Sequence, residues 1–123
     1  MSSERIQSYA EFWPFYLGEH RSAASRALHY LGTSAAVGAV LTAAFTGQRR
    51  WLAIAPLLGY GPAWIGHFKI EQNKPASFKY PLWSFISDFK MLRMALRCEL
   101  GDELRRLYGS ASPSKDAPLL SKT

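Results

Sequence analysis

Two stretches of this chain carry no formal charge. The first lies between Arg26 and Arg49 and is 22 residues long; the second lies between Arg50 and Lys69 and is 18 residues long. A helix that crosses a bilayer needs roughly 17–25 predominantly apolar residues. The first run meets that need; the second is marginal and is interrupted by Pro56 and Pro62. Only a short Gly-Gln-Arg-Arg connection at 47–50 separates the two, so as helices they fold into an antiparallel hairpin that is transmembrane or re-entrant. A chain of 123 residues is at most one domain.

The remaining elements flank this hairpin. Ile6, Tyr9, Phe12, Trp13 and Tyr16 recur at helical spacing and predict an amphipathic helix over 4–18, kinked or split at Pro14 and stopped at Gly18. Its aromatic content suits the headgroup level of a membrane. A second helix is predicted over 25–47, capped by Ser22 or Ser25 and ended by Gly47. A third covers 51–70, with a kink at Gly61-Pro62, and a loop follows at 73–81. A fourth runs over 82–107, with Phe85, Phe89, Leu92, Leu96, Leu100, Leu104 and Leu107 as one apolar stripe that either packs on the other helices or lies on the membrane. The expected fold is therefore all-α: one helical membrane domain over 1–109, with interfacial helices around the hairpin, and a disordered tail over 110–123.

Charge narrows the partners. The net charge is +6, but the basic residues flank the apolar runs instead of forming a patch, and no nucleic-acid-binding signature is present. Anionic lipid is the better match. With the hairpin spanning, Arg21, Arg26, Lys69, Lys74 and Lys79 fall on the side of both termini and only Arg49 and Arg50 at the turn. The positive-inside rule then places both termini in the cytoplasm, in the inner membrane of a bacterium or the endoplasmic reticulum of a eukaryote. The N-terminal MSSERIQSYAEFW has no apolar core of the kind a secretory leader needs. Cys98 is the single cysteine, so an internal disulfide is impossible; the thiol is read as buried or interfacial.

All three histidines sit at the margins of the uncharged runs. Folding the chain at Arg49 places His29 twenty residues before the fold and His67 eighteen after it. At about 1.5 Å per residue the two differ in depth by only about 3 Å. Ala55, Gly59, Ala63 and His67 recur at i, i+4, as do Ser34, Gly38 and Thr42, so small-residue faces predict close approach of the two helices. Glu71 lies one turn beyond His67 and could share a metal or a proton with it. His20 joins them if the chain breaks at 21–24. Imidazole suits iron, zinc, copper and nickel, and three such ligands leave coordination positions open. Each histidine alone is equally an anchoring residue. Glu71 could instead pair with Lys69 or Lys74, and Asp88 is read as solvated or as a supporting partner of the site.

The stretches FWPFYLGEH, RALHYLGT and GYGPAWIGHFKIEQNKPASFKYPLWSFISDFKM resemble the small membrane-protein family once catalogued as domain of unknown function 962, over roughly residues 7–97. That family includes a fungal 2-hydroxy-palmitic-acid dioxygenase of the endoplasmic reticulum, which acts in breakdown of phytosphingosine. The resemblance implies an Fe(II)-dependent dioxygenase that uses O2 to shorten a 2-hydroxy fatty acid by one carbon. It implies His20, His29 and His67 as iron ligands, with Glu71 as a further candidate. Arg21, Arg26 or Lys74 would meet the substrate carboxylate. Tyr30, Tyr60 and Trp64 either line the acyl groove or anchor the helices at the interface, and Lys69 and Lys79 contact headgroups. Three other readings stay open: a membrane protein that binds lipid or a partner with structural histidines, a zinc-dependent membrane hydrolase, and a soluble four-helix bundle.

Overall fold

A computed structural model describes residues 5–120; the first residue of the expected N-terminal helix and the last three of the expected tail lie outside them. The described residues form five α-helices and no strand: α1 (Tyr9–Gly18), α2 (Ala23–Thr46), α3 (Arg50–Ile65), α4 (Pro81–Leu96) and α5 (Leu100–Tyr108). A π-helical segment covers Gly66–Glu71 and a 3-10 turn covers Ala76–Phe78. The chain divides into two compact units, one from Ser22 to Pro75 and one built from the residues up to Arg21 and from Ala76 onward.

The first of these is the hairpin. Gly47 ends α2 in the left-handed conformation (φ 73°) and its N–H returns to the Ala43 carbonyl, so the connection to α3 is as short as expected. The kink expected at Gly61-Pro62 does not divide α3. The helix runs through both prolines, and the change of geometry comes later, in the π-helical segment that carries His67. On α3 the expected face is the packed one, with Ala55, Ala63 and His67 buried. On α2 it is not. Gly38 is exposed, with nothing within 4 Å of where a Cβ would stand, and Ser34 is exposed as well. The buried residues are Ser25, Arg26, His29, Gly32, Thr33, Ala39 and Ala43. At Gly32 an added Cβ would come within 2.6 Å of the Gly59 carbonyl oxygen, so the two backbones nearly touch there. At Gly66 an added Cβ would meet a side chain instead, Ser25 Oγ at 2.8 Å.

Helix α2 is long and apolar enough to cross a membrane, and it is the one such helix among the described residues. Only 22% of its most apolar window is buried, whereas the core helix of a soluble bundle is largely covered. Leu31, Val40, Leu41 and Phe45 all lie exposed on it. At 16 residues α3 is short of a full span.

The other unit has an aromatic core. Ser8 caps α1 by accepting from the Glu11 N–H. Phe12, Trp13 and Tyr16 are buried, and Phe12 packs against Tyr9, Tyr16, Tyr80 and Trp83 with ring centroids 5.2–6.1 Å apart. The aromatic face of α1 is therefore a packing face and not an interfacial one. Pro14 neither splits α1 nor wastes its carbonyl, which accepts from the Tyr108 hydroxyl at 2.7 Å.

The helix expected over 82–107 is two helices. Cys98 takes up the left-handed conformation (φ 59°), the Glu99 N–H bonds the Met94 carbonyl, and the Cys98 N–H bonds that of Ala95. These two bonds make a Schellman motif without glycine. The break also divides the apolar stripe. Leu100, Leu104 and Leu107 are buried, but Phe85, Phe89 and Leu96 are exposed, and α4 instead buries Ser84, Ser87 and Met91. Cys98 is exposed in the turn, not buried. Beyond α5 the chain returns: the Leu120 N–H bonds the Leu107 carbonyl, and Arg21 Nη1 donates to the carbonyls of Ser114, Lys115 and Ala117 at 2.6–3.0 Å.

Candidate metal centre

Each histidine is held by its own local structure. His20 follows the last turn of α1; its Nδ1 lies 2.6 Å from the Tyr16 carbonyl oxygen and its ring stands 4.2 Å from the Tyr16 ring. His29 lies in the second turn of α2, with Nδ1 3.0 Å from the Ser25 carbonyl oxygen. His67 is the second residue of the π-helical segment, with Nδ1 2.7 Å from the side-chain oxygen of Asn73. All three acceptors are carbonyl oxygens, which cannot donate. Each Nδ1 therefore carries the proton, and the ring lone pair sits on Nε2.

The rings of His29 and His67 meet edge to face, 4.9 Å between centroids. The equal depth expected from folding the chain at Arg49 is thus realised within the hairpin. Within the hairpin unit His29 and His67 are 4% and 2% exposed, and in the other unit His20 is 1% exposed. Paired buried imidazoles, each with Nδ1 tied to an acceptor, are donors of the kind that fit a divalent transition metal.

A family model described as 2-hydroxy-palmitic acid dioxygenase Mpo1-like matches residues 6–100. The chain belongs to the Mpo1-like family. Searches of curated proteins and of solved structures each found no match. The family name points to a dioxygenase-related role in fatty-acid metabolism, and the paired imidazoles of the hairpin give this Mpo1-like chain donors that could bind a metal ion.

The other expected site residues stand in varied surroundings. Glu71 is buried, and its Oε2 accepts the Ser22 N–H at 2.7 Å, which sets a carboxylate at the start of α2 where unpaired N–H groups favour negative charge. Arg26 is buried one turn before Tyr30 and hydrogen-bonds its hydroxyl. Lys74 is exposed, as are Lys69 and Lys79. Arg21 spreads its guanidinium over backbone carbonyls and lies 4.5 Å from the Tyr108 ring. Tyr60 and Trp64 pack on each other and remain 39% exposed.

Asp88 is not solvated. It accepts a short hydrogen bond from Tyr16, and burial pushes its carboxyl up to about 6, against the lowering effect of that bond. Tyr16 and Asn73 are the supporting residues that periodicity misses. Tyr16 reads as one more aromatic of an apolar face. Asn73 lies six residues after His67, a spacing that meets in no regular helix and that only the left-handed turn at Gln72 brings back.

Proposed function

We propose that this chain is a membrane-bound Fe(II)-dependent dioxygenase that shortens 2-hydroxy fatty acids by one carbon. The observation that carries the reading is the meeting of buried His29 and His67 within the hairpin unit, each with Nδ1 anchored, in a chain of the Mpo1-like family; His20, anchored in the same way, is added as the third ligand. His20, His29 and His67 hold the iron through Nε2. Bound iron would supply the positions at which the hydroxy acid and O2 meet. Atoms and electrons balance with one O2 per turnover: the shorter acid, CO2 and water are the products.

The chain's own residues do the rest. Arg26, buried beside Tyr30, meets the substrate carboxylate, and exposed Lys74 attracts it. Arg21 keeps the final turn of α1 in place through the Gly18 carbonyl, two residues before His20. Glu71 orders the first turn of α2 and so the register of His29. The exposed apolar surface of α2 faces lipid, which also delivers the acyl chain, and both termini are cytoplasmic.

The test is oxygen consumption by protein purified without oxygen in detergent, loaded with Fe(II) and given 2-hydroxypalmitate. Consumption with release of a C15 acid, absent in His67→Ala, is expected. A wild-type preparation that holds no iron and consumes no oxygen would move the reading to a lipid-binding or structural role.

A further inference from the structure

The three histidines are not anchored alike. His20 and His29 each reach back four residues to a main-chain carbonyl, an acceptor that no substitution removes. His67 reaches forward to a side chain. Its Nδ1–H points to Asn73 Oδ1 at 2.7 Å, and Asn73 grips the same residue a second time, through its N–H to the His67 carbonyl oxygen at 2.9 Å. The turn that makes this possible is strained. Gln72, between the π-helical segment and Asn73, sits at φ 58°, ψ 43°, a left-handed conformation that L side chains rarely adopt. A chain that only had to leave the helix would place glycine there. Here the strained residue turns both hydrogen-bonding groups of Asn73 back onto one imidazole-bearing residue.

We propose that Asn73 is a positioning residue for the metal centre: its amide oxygen selects the His67 tautomer, aims Nε2 and sets how strongly that nitrogen donates. The proposal rests on the three-histidine metal reading above. An acceptor on the far nitrogen raises the basicity of a ligating imidazole, and loss of such a partner typically weakens metal affinity by about 10–100-fold. A charged acceptor at the same place strengthens the effect, because the bond to a carboxylate is stronger than that to an amide.

The experiment is a titration of the full chain in detergent, without oxygen, with Co(II) and then Fe(II) against a competing chelator, together with the Co(II) absorption spectrum. Wild type, Asn73→Ala, Asn73→Asp and His67→Ala are compared, and the thermal midpoint of each is recorded metal-free. Expected is a wild type that binds one equivalent, an Asn73→Ala about 10–100-fold weaker, an Asn73→Asp as tight as wild type or tighter with a shifted Co(II) spectrum, and no tight binding by His67→Ala. Asn73→Asp keeps the acceptor and so decides the matter even where Asn73→Ala does not fold. Affinity in Asn73→Ala equal to wild type, or equal weakening in both Asn73 variants, would overturn the positioning role alone. A wild type that binds neither metal would overturn the metal reading and this inference with it.

Discussion

Replacing Gly32 by alanine tests the hairpin directly. A Cβ at Gly32 would stand 2.6 Å from the Gly59 carbonyl oxygen and 3.1 Å from that of Leu58. Both are main-chain atoms, so no rotamer change relieves the clash. Ordinary contact begins at 3.4 Å, and α2 and α3 would have to part by up to 3.4 − 2.6 = 0.8 Å at this level. Overpacking of this kind costs about 1–3 kcal/mol. Alanine also has a higher helix propensity than glycine by about 0.8–1 kcal/mol, which masks part of that cost. Gly38→Ala isolates the masking term, because a Cβ at Gly38 has nothing within 4 Å. Gly59→Ala adds a third point, with its nearest neighbour, Ala36 Cβ, at an ordinary 3.5 Å. The propensity gain is shared, so the gap between Gly32→Ala and Gly38→Ala is the steric term, about 1–3 kcal/mol. Denaturant unfolding in detergent micelles, followed by far-ultraviolet circular dichroism, measures it. Gly32→Ala matching Gly38→Ala in stability would refute the close approach of the two backbones.

Two further perturbations probe the unit that holds α1, α4 and α5. The folded state raises the Asp88 carboxyl from 3.8 to about 6 and so holds its proton more tightly than the unfolded chain does. The stability this provides is fully present below about pH 4 and is lost as pH rises through about 6, a loss of about 3 kcal/mol. Asp88→Asn keeps an acceptor for Tyr16, so it should melt higher than wild type at pH 8 and close to it at pH 4; parallel melting curves across that range would contradict this. Tyr108→Phe should cost about 1 kcal/mol by removing the bond to the Pro14 carbonyl. It should also make Gly18→Ala less damaging, since the Tyr108 hydroxyl is the atom such a Cβ would strike first, and additive melting shifts in the double variant would argue against that contact.

The hairpin and its histidines were legible because they depend on charge and on rise per residue. Charge-free runs mark helices wherever they pack, and distance from the turn fixes depth whatever the helix rotation. Rotation itself was not legible on α2. Ser, Gly, Thr and Ala occur there on nearly every face, so small-residue spacing selects Ser34, Gly38 and Thr42 as readily as the packed set at Ser25, Gly32, Ala39 and Ala43. The division of α4 from α5 was hidden for another reason. Helix ends are read from glycine and proline, and this one uses Cys98 in the left-handed conformation. The leucines beyond it continue the heptad-like spacing by coincidence while belonging to a second helix. The aromatic face of α1 was identified correctly as a face but assigned to lipid, because composition alone does not distinguish an indole in headgroups from one against another helix.

The packing of the hairpin and the geometry of the His29–His67 pair are one problem. Ser25 and Gly32 flank His29 on α2, four residues before and three after it, on the same side of the helix. Ser25 lies against Gly66, the residue before His67, and gives its carbonyl to His29 Nδ1. Gly32 lies against Gly59, eight residues before His67. Two close contacts at glycine, main chain against main chain at Gly32 and against the Ser25 side chain at Gly66, therefore bracket the His29–His67 pair and hold α2 close to the segment that carries His67. Nearer the turn, at Gly38, the requirement is gone and so is the contact. A metal needs its ligands placed to within a few tenths of an ångström, and imidazoles on separate helices cannot meet that tolerance through side-chain adjustment alone. Main-chain contact between α2 and α3 sets the spacing of this pair, the Ser25 carbonyl aims the His29 ring, and the His67 ring, carried on the π-helical segment, is aimed by Asn73.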